Sequence, residues 1–138
     1  MELTSFILIA RSFEELDVWK LSRKFAERVY RVTSIDPFAR DFSLRDQLRR
    51  SSGSIMDNIA EGFERDGRNE FIQFLYIAKA SCGESRSQIY RAKDANYLEE
   101  SEFESLRKEA EVISRSLSNF IKYLKKSEYT GLKNKADF

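Results

Sequence analysis

Apolar residues recur at helical spacing through four stretches of the chain, and short polar breaks separate them. The first stretch carries two adjoining stripes: Leu16, Trp19, Ala26 and Tyr30, and beside them Val18, Leu21, Phe25, Val29 and Val32. Together they are wider than one core-facing seam requires, so part of this face needs a second partner. Ser12 with Glu15 three residues on has the form of a capping box opening the helix, and Asp36-Pro37 ends it near Ile35. Phe38 and Phe42 stand as two aromatic anchors in the following loop, and Ser43 with Asp46 opens the second helix.

The second helix, running to about Glu64, holds the stretch around which the fold is organised. From Gln47 to Gly62 it reads QLRRSSGSIMDNIAEG, and its middle, Ser51 to Ser54, has almost no side-chain bulk. Leu48, Ile55 and Ile59 give the same helix an apolar stripe, so a neighbouring helix is expected to approach closely here. Gln47, Asn58 and Glu61 stand at the edge of this contact as polar residues suited to fixing register, and Gly62 softens the helix end. Asp66-Gly67 supplies a turn, and Arg68 or Asn69 begins the third helix.

From Phe71 to Ala78 the third helix has only Gln73 as a polar residue. A helix apolar on every side is buried on every side, so this turn either sits beneath the first loop or lies in a subunit interface; the interface is the simpler reading and takes in Phe71, Ile72, Phe74 and Tyr76. Further on, Ala78, Cys82, Ser85, Ile89 and Ala92 continue as a thin seam to an end near Asn96. The fourth helix, opened by Ser101 with Glu104, places Phe103, Leu106, Ala110, Ile113, Leu117, Phe120 and Leu124 at alternating steps of three and four. Four helices joined by short connections predict an all-α, antiparallel four-helix bundle of up-down-up-down topology. The domain is single, covering 1–138, with a core of about 13–127 and flexible ends at 1–11 and 129–138.

Composition narrows the chemistry. The chain has 138 residues, one proline, five glycines, one cysteine and no histidine, and its formal net charge is +1. A chain of this length buries about 68–70% of the surface its unfolded form exposes, enough for a sizeable core. Without histidine there is no Glu-x-x-His pair for a di-metal bundle site, no His-based triad and no imidazole acid–base pair. No phosphate-cradling glycine loop and no cysteine pair for zinc occur, so no catalytic residue, metal or cofactor is expected. Glu61 and Glu84 could face one another across the second and third helices, with Asn58 nearby, and a structural role is expected of them rather than a catalytic one. Cys82, inside an apolar-periodic helix, reads as a buried inert thiol. The apolar run from Phe6 to Ala10 is too short for a signal core or a membrane span, which makes cytoplasmic residence the expectation.

The balance of charge offers no basic tail: residues 1–70 hold twelve basic against thirteen acidic side chains, and residues 71–138 hold twelve against ten. Basic residues do gather locally, however. Lys20, Arg23, Lys24, Arg28 and Arg31 recur at steps of three and four, and Arg45, Arg49 and Arg50 stand on the second helix. Grouped cations on a helix face suit phosphate contact. The other reading is a solvated mixed-charge surface, since Glu27 interrupts the first group and Asp46 the second.

The run QLRRSSGSIMDNIAEG, followed by a phenylalanine and then NEFIQFLYIAKASCGE, resembles the signature of the 23S ribosomal RNA intervening-sequence protein family. With the lead-in FEELDVWKLSRKF the resemblance extends over Phe13 to Lys125. Met56 stands where many members have proline and leaves this helix unkinked; Ser85 stands where leucine commonly follows Glu84 and weakens one core contact. The resemblance implies a non-catalytic four-helix bundle assembled into a ring-like homo-oligomer of five subunits. A similar, strongly basic bundle serves as a nucleic-acid-binding accessory subunit of diversity-generating retroelements, from which this nearly neutral chain departs. The expected function is that of a bundle binding RNA or a nucleoprotein partner through its basic helix faces. The alternative is a scaffold or protein-interaction module with no nucleic-acid contact.

Overall fold

In the computed structural model, residues 10–127 are described. A 3-10 turn at Phe13–Glu15 precedes helix α1 (Asp17–Val32), and a second turn at Phe38–Arg40 leads into α2 (Phe42–Glu64). Helices α3 (Arg68–Asp94) and α4 (Glu100–Lys126) complete an antiparallel up-down-up-down bundle with no strand among the described residues. Each helix packs on its sequence neighbours, and α1 closes the square against α4. The expected end of the second helix and start of the third agree with these bounds. The ends expected to be flexible lie outside the described residues, apart from Ala10 and Arg11; Ala10 is fully buried.

The caps differ from those expected. Ser12 makes no side-chain capping bond; instead the Glu15 carboxylate accepts the Arg11 backbone N–H at 3.0 Å, and residues 13–15 form the 3-10 turn. Leu16 then takes an extended conformation and buries its side chain, so α1 starts only at Asp17. At the other end, Thr33 Oγ1 donates to Val29 O and Ser34 Oγ to Tyr30 O, which satisfies terminal carbonyls and stops α1 before Ile35. Ser101 likewise leaves α4 uncapped, and Glu104 pairs with Arg107 at 2.8 Å.

Helix α2 is capped by Asp41 in place of Ser43. Its Oδ1 accepts the Leu44 N–H at 3.1 Å, while Oδ2 accepts the Tyr97 hydroxyl at 2.8 Å from the α3–α4 connection. Phe38 stacks on Tyr97 with ring centres 4.8 Å apart and is buried, so it anchors the loop as expected. Phe42 does not; it is exposed. Tyr97 reaches Asp41 because α3 ends in a Schellman turn, with Asn96 at φ 64° and Tyr97 N–H donating to Ala92 O at 2.9 Å.

The Leu44 N–H, and after it the Tyr97 hydroxyl, lower the Asp41 pKa. A carboxylate whose folded pKa lies below its unfolded one adds stability above the unfolded value, and that stability is lost as pH falls through the folded value. The melting temperature of the native protein should therefore fall more steeply below about pH 4 than that of Asp41→Asn. Parallel acid slopes in thermal melts of the two proteins would refute this role of Asp41.

The α4 seam from Phe103 to Leu124 is buried at every expected position. Helix α1 directs Val18, Phe25, Val29 and Val32 inward; on its wide face Phe13 packs edge-on against Trp19 at 5.1 Å, while Leu21 and Tyr30 stay exposed. The apolar turn of α3 requires a correction. Phe71 and Ile72, expected at a subunit interface, are only 3% and 8% exposed within the single chain. Phe71 meets Phe63 of α2 and Phe120 of α4 edge-to-face, at 6.0 and 5.3 Å. Phe74 is half-buried, and only Tyr76 and Ile77 remain on the surface.

The close approach expected along Ser51 to Ser54 is made by α3. Ser51 Oγ lies 2.8 Å from Ser85 Oγ and donates to Gln88 Oε1 at 2.7 Å; Ser54 Oγ lies 2.9 Å from Ser81 Oγ. With Ser85 donating to Ser51, each buried hydroxyl has a partner, and the Gln88 amide donates outward to Glu84 at 3.3 Å. Ser85 thus does not weaken an apolar contact; it matches a hydroxyl on the facing helix. At the far end Gly62 lies against Phe74, where a side chain would meet the Phe74 Cβ at 2.7 Å.

Candidate nucleic-acid interface

The cations singled out in the sequence fall into two places on the bundle. On the exposed side of α1, Lys20, Arg23 and Lys24 line a shallow groove together with Glu27. They share this face because steps of three and four return to the same side of a helix. The Arg23 guanidinium lies 5.8 Å from the Trp19 ring centre. The second place is the corner where the end of α1 meets the start of α2. Here Arg49 Nε donates to Thr33 Oγ1 at 2.8 Å and its Nη2 to Ser34 Oγ at 3.0 Å. The same guanidinium covers the Tyr30 ring at 4.0 Å.

Arg28, Arg31, Arg45 and Arg49 have carboxylate or hydroxyl partners within the chain. Arg28 turns toward α4, where it pairs with Glu109 and donates to Ser105 at 2.8 Å. Arg31 pairs with Glu27 at 2.8 Å one turn away. Arg45 pairs with Asp46 at 2.9 Å, donates to Ala39 O at 3.0 Å and lies over the Phe42 ring at 4.8 Å. Arg49 differs from these three because its partners are hydroxyls, so its charge is not offset by a carboxylate. Arg50 is exposed. The structure therefore does not form one basic face from all eight residues; α1 contributes an open groove and α2 a fixed corner. Exposed pairs of the Arg31–Glu27 kind contribute little to stability and separate readily for a competing phosphate.

The register residues also divide. Gln47 bridges helices, donating to Ser43 Oγ at 2.9 Å and accepting from Arg91 at 3.3 Å. Asn58 bonds within its own helix to Ser54, the residue that meets Ser81. Glu61 pairs with Arg65 on the surface and Glu84 is taken by Gln88, so the two carboxylates have separate partners. Cys82 is buried with its thiol donating to Ala110 O at 3.0 Å, and burial pushes its pKa up to about 11. A thiol held in that state is a poor nucleophile near neutral pH.

Sequence reasoning missed the aromatic part of the corner. Tyr30, Ile35 and Phe42 are 59%, 63% and 62% exposed. In the sequence Tyr30 falls in an apolar stripe and Phe42 in a loop; the available signal is an arginine within reach of each ring. Among the described residues, no group of three or more His, Cys, Asp or Glu is placed to hold a metal ion. No helix among them is long and apolar enough to cross a membrane.

A sequence profile of the 23S rRNA-intervening sequence proteins matches residues 14–119. The chain belongs to that family. The shared region runs from the first turn through most of α4, so it takes in all four helices and both groups of cations. A crystal structure at 1.70 Å of a protein of unknown function, from the S23 ribosomal protein family of Bacteroides thetaiotaomicron, is similar to this chain at 27% identity. Its TM-score is 0.70, and the match covers 76% of this chain and 98% of that one. No functionally curated protein matches the sequence. Neither family match points to a catalytic family.

Proposed function

We propose that this intervening-sequence family protein is a non-enzymatic, cytoplasmic homo-oligomer, a pentamer by family resemblance, that binds RNA or a nucleoprotein partner through α1 and α2. The observation that carries the reading is the open groove of Lys20, Arg23 and Lys24, three cations on one helix face with one carboxylate beside them. Cations so placed neutralise phosphates without desolvating a buried charge, and repetition around an oligomer multiplies the field. Arg49 and Arg50 extend the positive surface along α2. This arrangement supports contact with the phosphate backbone and no base-specific readout. The weaker overall charge sets the chain apart from the strongly basic retroelement accessory bundles, so the attraction is local.

Arg23→Glu combined with Lys24→Glu tests the proposal. Both side chains are exposed, so the fold and the subunit number should be unchanged. RNA affinity at low salt should fall by about tenfold or more. Undiminished affinity in a folded variant of unchanged subunit number, measured by fluorescence anisotropy and light scattering, would exclude the groove. An oligomer with no RNA affinity at any salt would favour a scaffold.

A further inference from the structure

The corner between the end of α1 and the start of α2 carries more than charge. Phe42 and Tyr30 are bulky aromatic residues left mostly in solvent, and each has a guanidinium laid against its ring, Arg45 at 4.8 Å and Arg49 at 4.0 Å. Arg45 and Arg49 are one turn apart on α2, which sets their Cβ atoms about 5–6 Å apart. Neither guanidinium is free to wander. Arg49 is fixed by Thr33 and Ser34, and Arg45 by the Ala39 carbonyl and Asp46.

Resting on the nucleic-acid reading above, we infer that this corner is a stacking platform for the unpaired bases of single-stranded RNA, with Tyr30 and Phe42 as its plates. The chemistry on both sides agrees. A base presents a flat π-face to an aromatic ring or a guanidinium plane, and each nucleotide brings a phosphate to a nearby arginine. A guanidinium over one face of a ring leaves the ring's other face for a base. The carboxylates nearby are already engaged: Asp41 with the Leu44 N–H and the Tyr97 hydroxyl, Asp46 with Arg45, Glu27 with Arg31 at 2.8 Å, and Asp36 with Arg40 at 3.7 Å. Arg49 keeps an uncompensated charge at the centre. Base-paired RNA is a poor fit, because its bases are stacked inside the helix and offer no face.

The platform predicts a selectivity that charge alone does not give. Tyr30→Ala with Phe42→Ala removes both plates and leaves every cation in place. Stacking on an aromatic side chain changes affinity by about tenfold per base, so the double variant should bind a short unstructured RNA about a hundredfold more weakly. Its affinity for a short RNA duplex should be unchanged, as should its subunit number by light scattering. Equal affinities for the single strand before and after substitution would overturn the platform while leaving the groove proposal standing. So would an equal loss toward duplex and single strand. A changed subunit number would overturn it too, by assigning the corner to contacts between copies. A native protein that binds neither RNA form at low salt would overturn both readings together.

Discussion

Phe71→Ala lowers the melting temperature by roughly 10–20 °C and leaves the oligomeric state of the remaining folded protein unchanged. The ring is 3% exposed and lies edge-to-face between Phe63 of α2 and Phe120 of α4, so its removal opens a cavity touching three helices. Truncating a buried phenylalanine costs about 3–5 kcal/mol, the upper range for a single substitution. Edge-to-face geometry adds about 0.5–1.5 kcal/mol per pair beyond the area buried, and both pairs are lost together. Far-ultraviolet circular dichroism melts with light scattering check the result. An unchanged melt together with dissociated subunits would mean that Phe71 belongs to an interface between copies.

Gly62→Ala and Gly53→Ala should move the melting temperature in opposite directions. Both glycines lie within α2, where alanine is favoured by about 1 kcal/mol on helix propensity alone. At Gly53 no atom beyond the adjoining backbone of its own helix lies within 4 Å of the new methyl, so the propensity gain stands and the protein melts a few degrees higher. At Gly62 the methyl would lie 2.7 Å from Phe74 Cβ and 3.0 Å from Phe71 Cδ1. Phe74 Cβ is tied to the α3 backbone and cannot swing away, so the helices must separate. Overpacking of this kind costs about 1–3 kcal/mol and outweighs the propensity term. A Gly62→Ala protein as stable as the native one would refute the close α2–α3 contact.

The four helices were legible because their apolar periodicity is long and unbroken, most clearly in α4, where steps of three and four place each core residue correctly. Their caps were not. Ser43 matched a local capping pattern, but Asp41 took the position because the Tyr97 hydroxyl, 56 residues later, fixes its carboxylate. Such a partner is invisible to a reading that moves along the chain. Phe71 and Ile72 read as interface residues because all-round apolarity shows that a turn is buried without showing by what. The answer lay in Phe63 and Phe120 on the flanking helices.

The serine seam was half legible. Ser51 to Ser54 point to a close neighbour, but Ser85 reads as a weakened contact in an apolar seam and Ser81 falls outside that seam. Three residues forward on α2 against four back on α3 is the register of antiparallel helices, and that step joins the two serine pairs. For the candidate interface, the sequence located the cations without their partners. Arg28, Arg31 and Arg45 each find a carboxylate, whereas Arg49 is held by hydroxyls and Arg23 and Lys24 line the exposed α1 groove. The exposed rings beside Arg45 and Arg49 went unrecognised, since aromatic residues at helical spacing ordinarily face a core.

The central claim is phosphate contact through open cations, and the salt dependence of RNA affinity measures it most directly. Phosphate contacts by Arg23, Lys24, Arg49 and Arg50 on one subunit would make log K fall linearly with log salt at a slope of roughly −2 to −3 for a single strand. The Arg23→Glu and Lys24→Glu pair should flatten that line. A slope near zero in the native protein, with affinity unmoved by salt, would contradict the account.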